Sequence, residues 1–158
     1  MVDFPVVNDS ILKLLRFVPT STVIDVMWRK GWPMGYVEGA RPLRSGQKMV
    51  GRAVTLRFVP ARPDLAADKP KAELSPEYVA IERCGPNEVL VVDAMGWQYG
   101  SVGGEIKFLR LRQLNAGGLV TDGGLRDSGI VKEYQFPVYA YHASHRTALT
   151  GSLRRGTR

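Results

Sequence analysis

EVLVVDAMGWQYGSVGGEIKFLRLRQLNAGGLVTDGGLRDSGIVKEYQFPVYAY, residues 88–141, decides the fold. EVLVVDA, residues 88–94, is a short continuous apolar run and reads as a strand buried on both faces. EIKFLRLRQLNA, residues 105–116, reads as a helix with Ile106, Leu109 and Leu114 near one face, closed by Gly117 and Gly118. LVTD, residues 119–122, is a second buried strand. DSGIVKEYQ, residues 127–135, reads as a short helix and PVYAY, residues 137–141, as a last strand. Strands alternating with helices imply right-handed crossovers and a parallel sheet. In open parallel sheets, functional groups gather at the carboxyl ends of the strands. Two loops qualify here, one leading from the first strand to Glu105 and one from the second to Arg126 and Asp127. If the strands are neighbours, these loops lie side by side.

Upstream of this stretch, NDSILKLLRFV (residues 8–18) reads as a helix capped by Asn8 or Asp9 and ended by Pro19. TSTVIDVMWRKG (residues 20–31) starts a second helix, with Thr20 or Ser21 as cap, Val23, Val26 and Met27 on its apolar side and Gly31 as its stop. QKMVGRAVTLRFV (residues 47–59) is rich in β-branched residues, so a strand is expected from about Met49 to Val59, with a bulge at Gly51. PARPDLAADKPKAELSPE (residues 60–77) is a long proline-punctuated loop of the kind that forms lids or binding elements. SPEYVAIERC (residues 75–84) predicts a helix with Ser75 as cap and Pro76 at its first position.

The 158 residues suit one domain. With 44% hydrophobic and 23% charged residues, a packed core is expected rather than disorder. No apolar run approaches the ~18 residues that span a bilayer, and MVDFPVVNDS does not read as a secretory signal. Cys84, the only cysteine, has no intramolecular partner and fits a reducing cytoplasm as a buried spectator. The net charge of +7 invites a nucleic-acid reading. Its excess collects in the last residues, around 146–158, which read as a flexible basic tail. Basic and aromatic residues are not interleaved into stacking platforms, so neither nucleic acid nor a membrane is expected as a partner.

The two loops carry a defined chemistry. Arg126 offers a planar fork of donors for a carboxylate, and Asp127 is a hard oxygen ligand for Mg²⁺ or Mn²⁺. Gly104 opens a helix whose first-turn amides, those of Ile106 and Lys107, make an anion site. Glu105 lies there as a base, acting directly or through water. Together these parts suit a small 2-oxo acid, with its carboxylate on the arginine and amides and its carbonyl oxygen on the metal. Each residue also has a purely structural use. Asp127 can cap the following helix, Glu105 can answer the helix dipole, and Asp93 can serve a structural hydrogen bond. His142 and His145 sit in polar surroundings that favour a surface position.

VLVVDAMG followed by GGEIKFLRLRQLNAGGLVTDGGLRDSGIVKEYQFPVYA resembles the RraA-like family. That family contains class II 4-hydroxy-4-methyl-2-oxoglutarate / 4-carboxy-4-hydroxy-2-oxoadipate aldolases and protein inhibitors of ribonuclease E. TSTVIDVMWRKG and ARPLRSGQKMVGRAVTL resemble its N-terminal half, so the likeness covers most of residues 20–141. It implies one α/β domain over 1–158, a three-layer β/β/α swivelling-domain-like fold with a mostly parallel central sheet, assembled as homotrimers or hexamers. In aldolase-type members the matching Gly104, Glu105, Ile106 and Lys107 bind pyruvate through backbone amides. Arg126 matches the substrate-holding arginine, Asp127 the metal-binding aspartate, and Glu105 the acid that activates a water. Lys107 stands where the family usually has an apolar residue, and the usual C-terminal segment of further strands and a helix is not matched. The function implied is a Mg²⁺- or Mn²⁺-dependent lyase that cleaves a 4-hydroxy-2-oxo acid to pyruvate, with oxaloacetate decarboxylation by the same enolate chemistry. The alternative is a non-catalytic partner of ribonuclease E.

Overall fold

The computed structural model describes residues 7–33, 35–60, 64, 70, 72–143 and, for the backbone, 153–155. Helix α1 (Asp9–Leu15) is capped by Asn8, whose side chain accepts from the Ile11 amide. Helix α2 (Thr20–Arg29) follows Pro19, which occupies the cap position without a side-chain bond, so neither Thr20 nor Ser21 serves as the cap. Strands β1 (Arg41–Pro42) and β2 (Arg52–Phe58), helix α3 (Pro76–Glu82) and strand β3 (Glu88–Asp93) come next. Helix α4 (Glu105–Gln113), strands β4 (Gly118–Thr121) and β5 (Gly124–Leu125) and helix α5 (Ser128–Glu133) carry the functional loops. Strands β6 (Val138–Ala140), β7 (His142–Ala143) and β8 (Leu153–Arg155) complete the described chain. Most of the proline-rich loop read as a lid, and His145, lie outside the described residues.

The main sheet has the order β1-β6-β4-β3-β2-β8, and β5 pairs with β7 in a second, two-stranded sheet. β6, β4, β3 and β2 run parallel, while β1 and β8 are antiparallel edges. The central sheet is therefore mostly parallel, as the strand-helix alternation implies. Of the tail read as flexible, residues 153–155 are described, and there the backbone pairs with β2, Leu153 opposite Phe58 and Arg155 opposite Leu56.

One face of the sheet holds the core. Leu90 and Val92 of β3 and Leu119 of β4 pack with Ile81 of α3, Phe108 and Leu111 of α4 and Val131 of α5. Burial of each such large side chain contributes about 1.5–3 kcal/mol before entropy is counted. The inward face of α4 is thus Phe108 and Leu111, each 0% exposed, whereas Ile106 is 76% exposed and Leu109 is also on the outside. Of the expected face, Leu114 does pack against the core, while Ile106 and Leu109 are replaced by Phe108 and Leu111. The opposite sheet face is open around Val91 and Val120, which line a cleft of about 600 Å³ together with Tyr36, Gly39 and Tyr141. β3 is therefore not buried evenly on both faces. Outside the core, α2 buries no residue fully, and Phe17 and Trp28 are 87% and 73% exposed.

Gly51 makes no bulge within a strand; it precedes β2, where the backbone comes against Asn87. A Cβ there would lie 2.6 Å from the Asn87 carbonyl oxygen and 2.8 Å from Val89 Cγ2. That same carbonyl accepts from the Arg52 amide at 2.7 Å, where the β2–β3 pairing begins. Gly51→Ala should cost about 2 kcal/mol, as overpacking against fixed backbone does. Urea unfolding should show a lower midpoint with an unchanged slope.

Cys84 is buried and donates to the Ala80 carbonyl. Burial pushes its thiol up to about 12, so it is a spectator, not a nucleophile.

Candidate functional site

β3 and β4 are parallel neighbours, with Val92 opposite Thr121, so the loops that leave them meet. Main-chain bonds lace the two together. Gly124 donates to Gly100 O at 3.0 Å, Val102 to Gly124 O at 2.9 Å and Arg126 to Gly103 O at 2.9 Å. The last of these brings Arg126 beside the turn that opens α4.

Asp127 takes a left-handed backbone conformation, φ 55° and ψ 30°, which aspartate tolerates better than most residues. It stands at the cap position of α5, yet its side chain makes no capping bond to that helix. Its Oδ2 instead accepts from the Glu105 amide at 3.0 Å, satisfying the first amide of α4. The carboxylate thus crosses from one loop to the other. Arg126 converges on the same point. A Cβ added at Gly104 would lie 2.5 Å from Asp127 Oδ2, 3.2 Å from Arg126 Nη2 and 3.3 Å from Arg126 Nε. Gly104 is the residue that lets an arginine and an aspartate approach one turn together.

Arg126 Nε is buried and has no hydrogen-bond partner among the described residues. Such a donor is costly to leave unmet, and an anion docked on the guanidinium would meet it. Glu105 is half-buried, and its Oε1 accepts from the Tyr134 hydroxyl at 2.8 Å. That bond, the surrounding desolvation and the charge of Glu105 hold the Tyr134 phenol above its ordinary range, with Arg112 pulling the other way. Tyr134 was not among the expected site residues. Its signal in the sequence is a phenol at the end of a short helix, which needs a polar partner once half-buried.

Gly104, Arg126, Asp127 and the backbone amide of Glu105 are brought together; the Glu105 carboxylate is turned to Tyr134, and the side chains of Ile106 and Lys107 lie elsewhere. Ile106 points to solvent. Lys107 Nζ binds Glu77 Oε2 at 2.8 Å and lies 5.9 Å from the centre of the Tyr78 ring, so its charge is spent on α3. The Lys107 amide, expected to be free for an anion, donates to Gly104 O at 3.1 Å. Asp93 and Asp122 have structural uses. Asp93 accepts from the Met95 amide at 2.7 Å and pairs with Arg57, and Asp122 accepts from the Ala94 and Gly96 amides at 2.6 and 2.7 Å. These two aspartates border the 600 Å³ cleft, which contains none of the four converging residues. The cleft's aspartates are already engaged by backbone amides and Arg57, so the candidate site is the Gly104 turn and not the cleft. His142 is exposed, with its ring edge-on to Tyr99 and Tyr141.

The carboxylate of Asp127 is exposed and one of its oxygens is engaged. Among the described residues there is no cluster of three or more His, Cys, Asp or Glu that could hold a metal ion. A single carboxylate supplemented by water and substrate oxygen is how Mg²⁺ is commonly held, so the donors fit Mg²⁺ or Mn²⁺ and do not fit a tetrahedral zinc centre. No helix among the described residues is long and apolar enough to cross a membrane.

A family model described as RraA-like, Aldolase/RraA, matches residues 20–155. Among solved structures, Streptomyces coelicolor RraAS2, described as an unusual member of the RNase ES inhibitor RraA protein family, is 25% identical with a TM-score of 0.80. The match covers 92% of this chain and 70% of that one. An uncharacterized protein from Pseudomonas syringae pv. tomato superposes with a TM-score of 0.78 at 18% identity, over 99% of this chain and 67% of that one. An RNA-processing inhibitor RraA from Thermus gives 0.59 at 19% identity, over 87% and 75%. At those lower identities the likeness is one of fold alone.

Proposed function

The chain belongs to the RraA-like family, and from that premise we propose that it is a divalent-metal-dependent lyase releasing pyruvate from a short 4-hydroxy-2-oxo acid. The observation that carries this reading is the buried, unpartnered Arg126 Nε placed beside Asp127 at Gly104. A donor without an acceptor, next to an exposed carboxylate, suits a ligand that is both anion and metal chelator. A 2-oxo carboxylate is such a ligand.

In this reading Arg126 binds the substrate carboxylate through its planar fork, which fixes the direction of the carbon chain. Asp127 holds the cation, and the Glu105 amide orients that carboxylate through its bond to Oδ2. The chemistry a divalent cation supplies when bound is polarisation of the 2-oxo oxygen. Glu105 Oε2, the oxygen not bonded to Tyr134, takes the proton of the 4-hydroxyl through a water. The C3–C4 bond then breaks, C4 leaves as a carbonyl, and the electron pair stays on the pyruvate fragment as an enolate. Return of the proton to C3 completes pyruvate. Oxaloacetate decarboxylation requires the same enolate, with carbon dioxide as the leaving group.

Purified protein should release pyruvate from a 4-hydroxy-2-oxo acid in Mg²⁺, and EDTA should lower the rate by about 100-fold or more, because Lewis-acid stabilisation of the enolate is worth several kcal/mol. Added Mg²⁺ or Mn²⁺ should restore it. Rates that ignore EDTA end the proposal. The exposed apolar surface of Phe17, Trp28 and Trp32 supports assembly of the chain with further copies, in trimers or hexamers. The same surface favours a second reading, a non-catalytic protein partner of ribonuclease E, in line with the likeness to RraAS2 of an RNase ES inhibitor family, for which no metal-dependent pyruvate release is expected.

A further inference from the structure

We propose that Tyr134 is a positioning residue for Glu105, fixing which carboxylate oxygen handles the proton; the inference rests on the lyase reading above. Two contacts and one helical spacing carry it. The Tyr134 hydroxyl donates to Glu105 Oε1 at 2.8 Å. The Arg112 guanidinium lies 5.2 Å from the centre of the Tyr134 ring, so the ring is held from a second side. Arg112 is seven residues after Glu105, two turns along the same face of α4, and Tyr134 ends α5 alongside that face. The phenol is therefore clamped between two groups of one helix, and a protonated phenol facing a carboxylate can only donate.

The consequence is directional. Oε1 is occupied and Oε2 is left for water. Glu105 has three rotatable bonds, and without a tether it samples orientations that do not face the reacting group. A hydroxyl tether removes that freedom without neutralising the carboxylate. Tyr134 does not touch substrate in this arrangement, so its effect belongs in turnover and not in binding.

Tyr134→Phe keeps the ring and its place under Arg112 and removes only the hydroxyl. It should lower kcat for pyruvate release by about tenfold, as loss of an orienting partner commonly does, with KM changed less than twofold. The thermal midpoint should stay near that of the parent, which excludes a folding defect as the cause. A second measurement reads the contact without turnover. Tyrosinate absorbance followed against pH should show one phenol ionising late in the parent and earlier in Glu105→Gln, because the negative partner that keeps it protonated is gone. Unchanged kcat in Tyr134→Phe, a rise in KM alone, or identical phenol titrations in parent and Glu105→Gln would each overturn the inference. If Arg126→Ala is inactive while Tyr134→Phe is fully active, this inference falls and the lyase reading stands. If the parent releases no pyruvate, both fall together.

Discussion

Arg126→Ala should lower kcat/KM for pyruvate release by about a thousandfold, since a bidentate arginine on a developing anion is among the larger single contributions in a site. The expectation rests on where the guanidinium stands. Its Nε is buried without an acceptor, and Nε and Nη2 both face the Gly104 turn. A structural arginine would be paired; this one is held ready by the bond from its own amide to Gly103 O. Stability should move the other way. Removing a buried, unmet donor relieves a cost, so the melting temperature of Arg126→Ala should equal or exceed that of the parent. Arg126→Lys should recover little, because an ammonium cannot reproduce the fork. Steady-state kinetics and a thermal melt on the same preparations test both halves. Turnover within threefold of the parent would remove Arg126 from the site.

Gly104→Ala is the second large effect. One methyl group added there meets Asp127 Oδ2 at 2.5 Å, closer than real Cβ contacts occur. The carboxylate can swing aside only by giving up the Glu105 amide, and its backbone, at φ 55°, is fixed by the start of α5. Arg126 is crowded by the same methyl. Activity should fall by about 100-fold, in line with the sensitivity of aligned groups to displacements near 1 Å. Mn²⁺ affinity, measured by electron paramagnetic resonance, should fall with it. Folding should lose only about 1–2 kcal/mol, the range for a local overpacking. Wild-type Mn²⁺ binding in Gly104→Ala would show that Asp127 does not face the turn in the way described.

Sequence pattern resolved the scaffold well where the signal is local. The strands Glu88–Asp93 and Gly118–Thr121 are runs of apolar residues bounded by turn formers, and the helix between them begins at the acid after a glycine pair. It failed where the deciding partner is distant in the chain. The helix α4 carries apolar residues on several sides, and only packing against α3 and the sheet selects Phe108 and Leu111 as the inner ones. Lys107 is tied to Glu77, 30 residues upstream, which no periodicity reports. Asp127 reads equally well as a helix cap, and the choice is made by its left-handed backbone, which aims the carboxylate at the other loop. Tyr134 passes for one more half-buried aromatic until Glu105 is seen across from it. The coming together of Gly104, Arg126 and Asp127 follows from the pairing of β3 with β4, which the strand-helix alternation implies.

The lacing of the two loops by Gly100, Val102, Gly103 and Gly124 uses peptide groups alone. A scaffold knitted this way keeps its contour when side chains on the rim are exchanged. New chemistry can then arise by swapping a single acid or base, with no rebuilding beneath it. One architecture can in that manner host catalysts in some lineages and silent adaptors in others, and the divide between them is narrow.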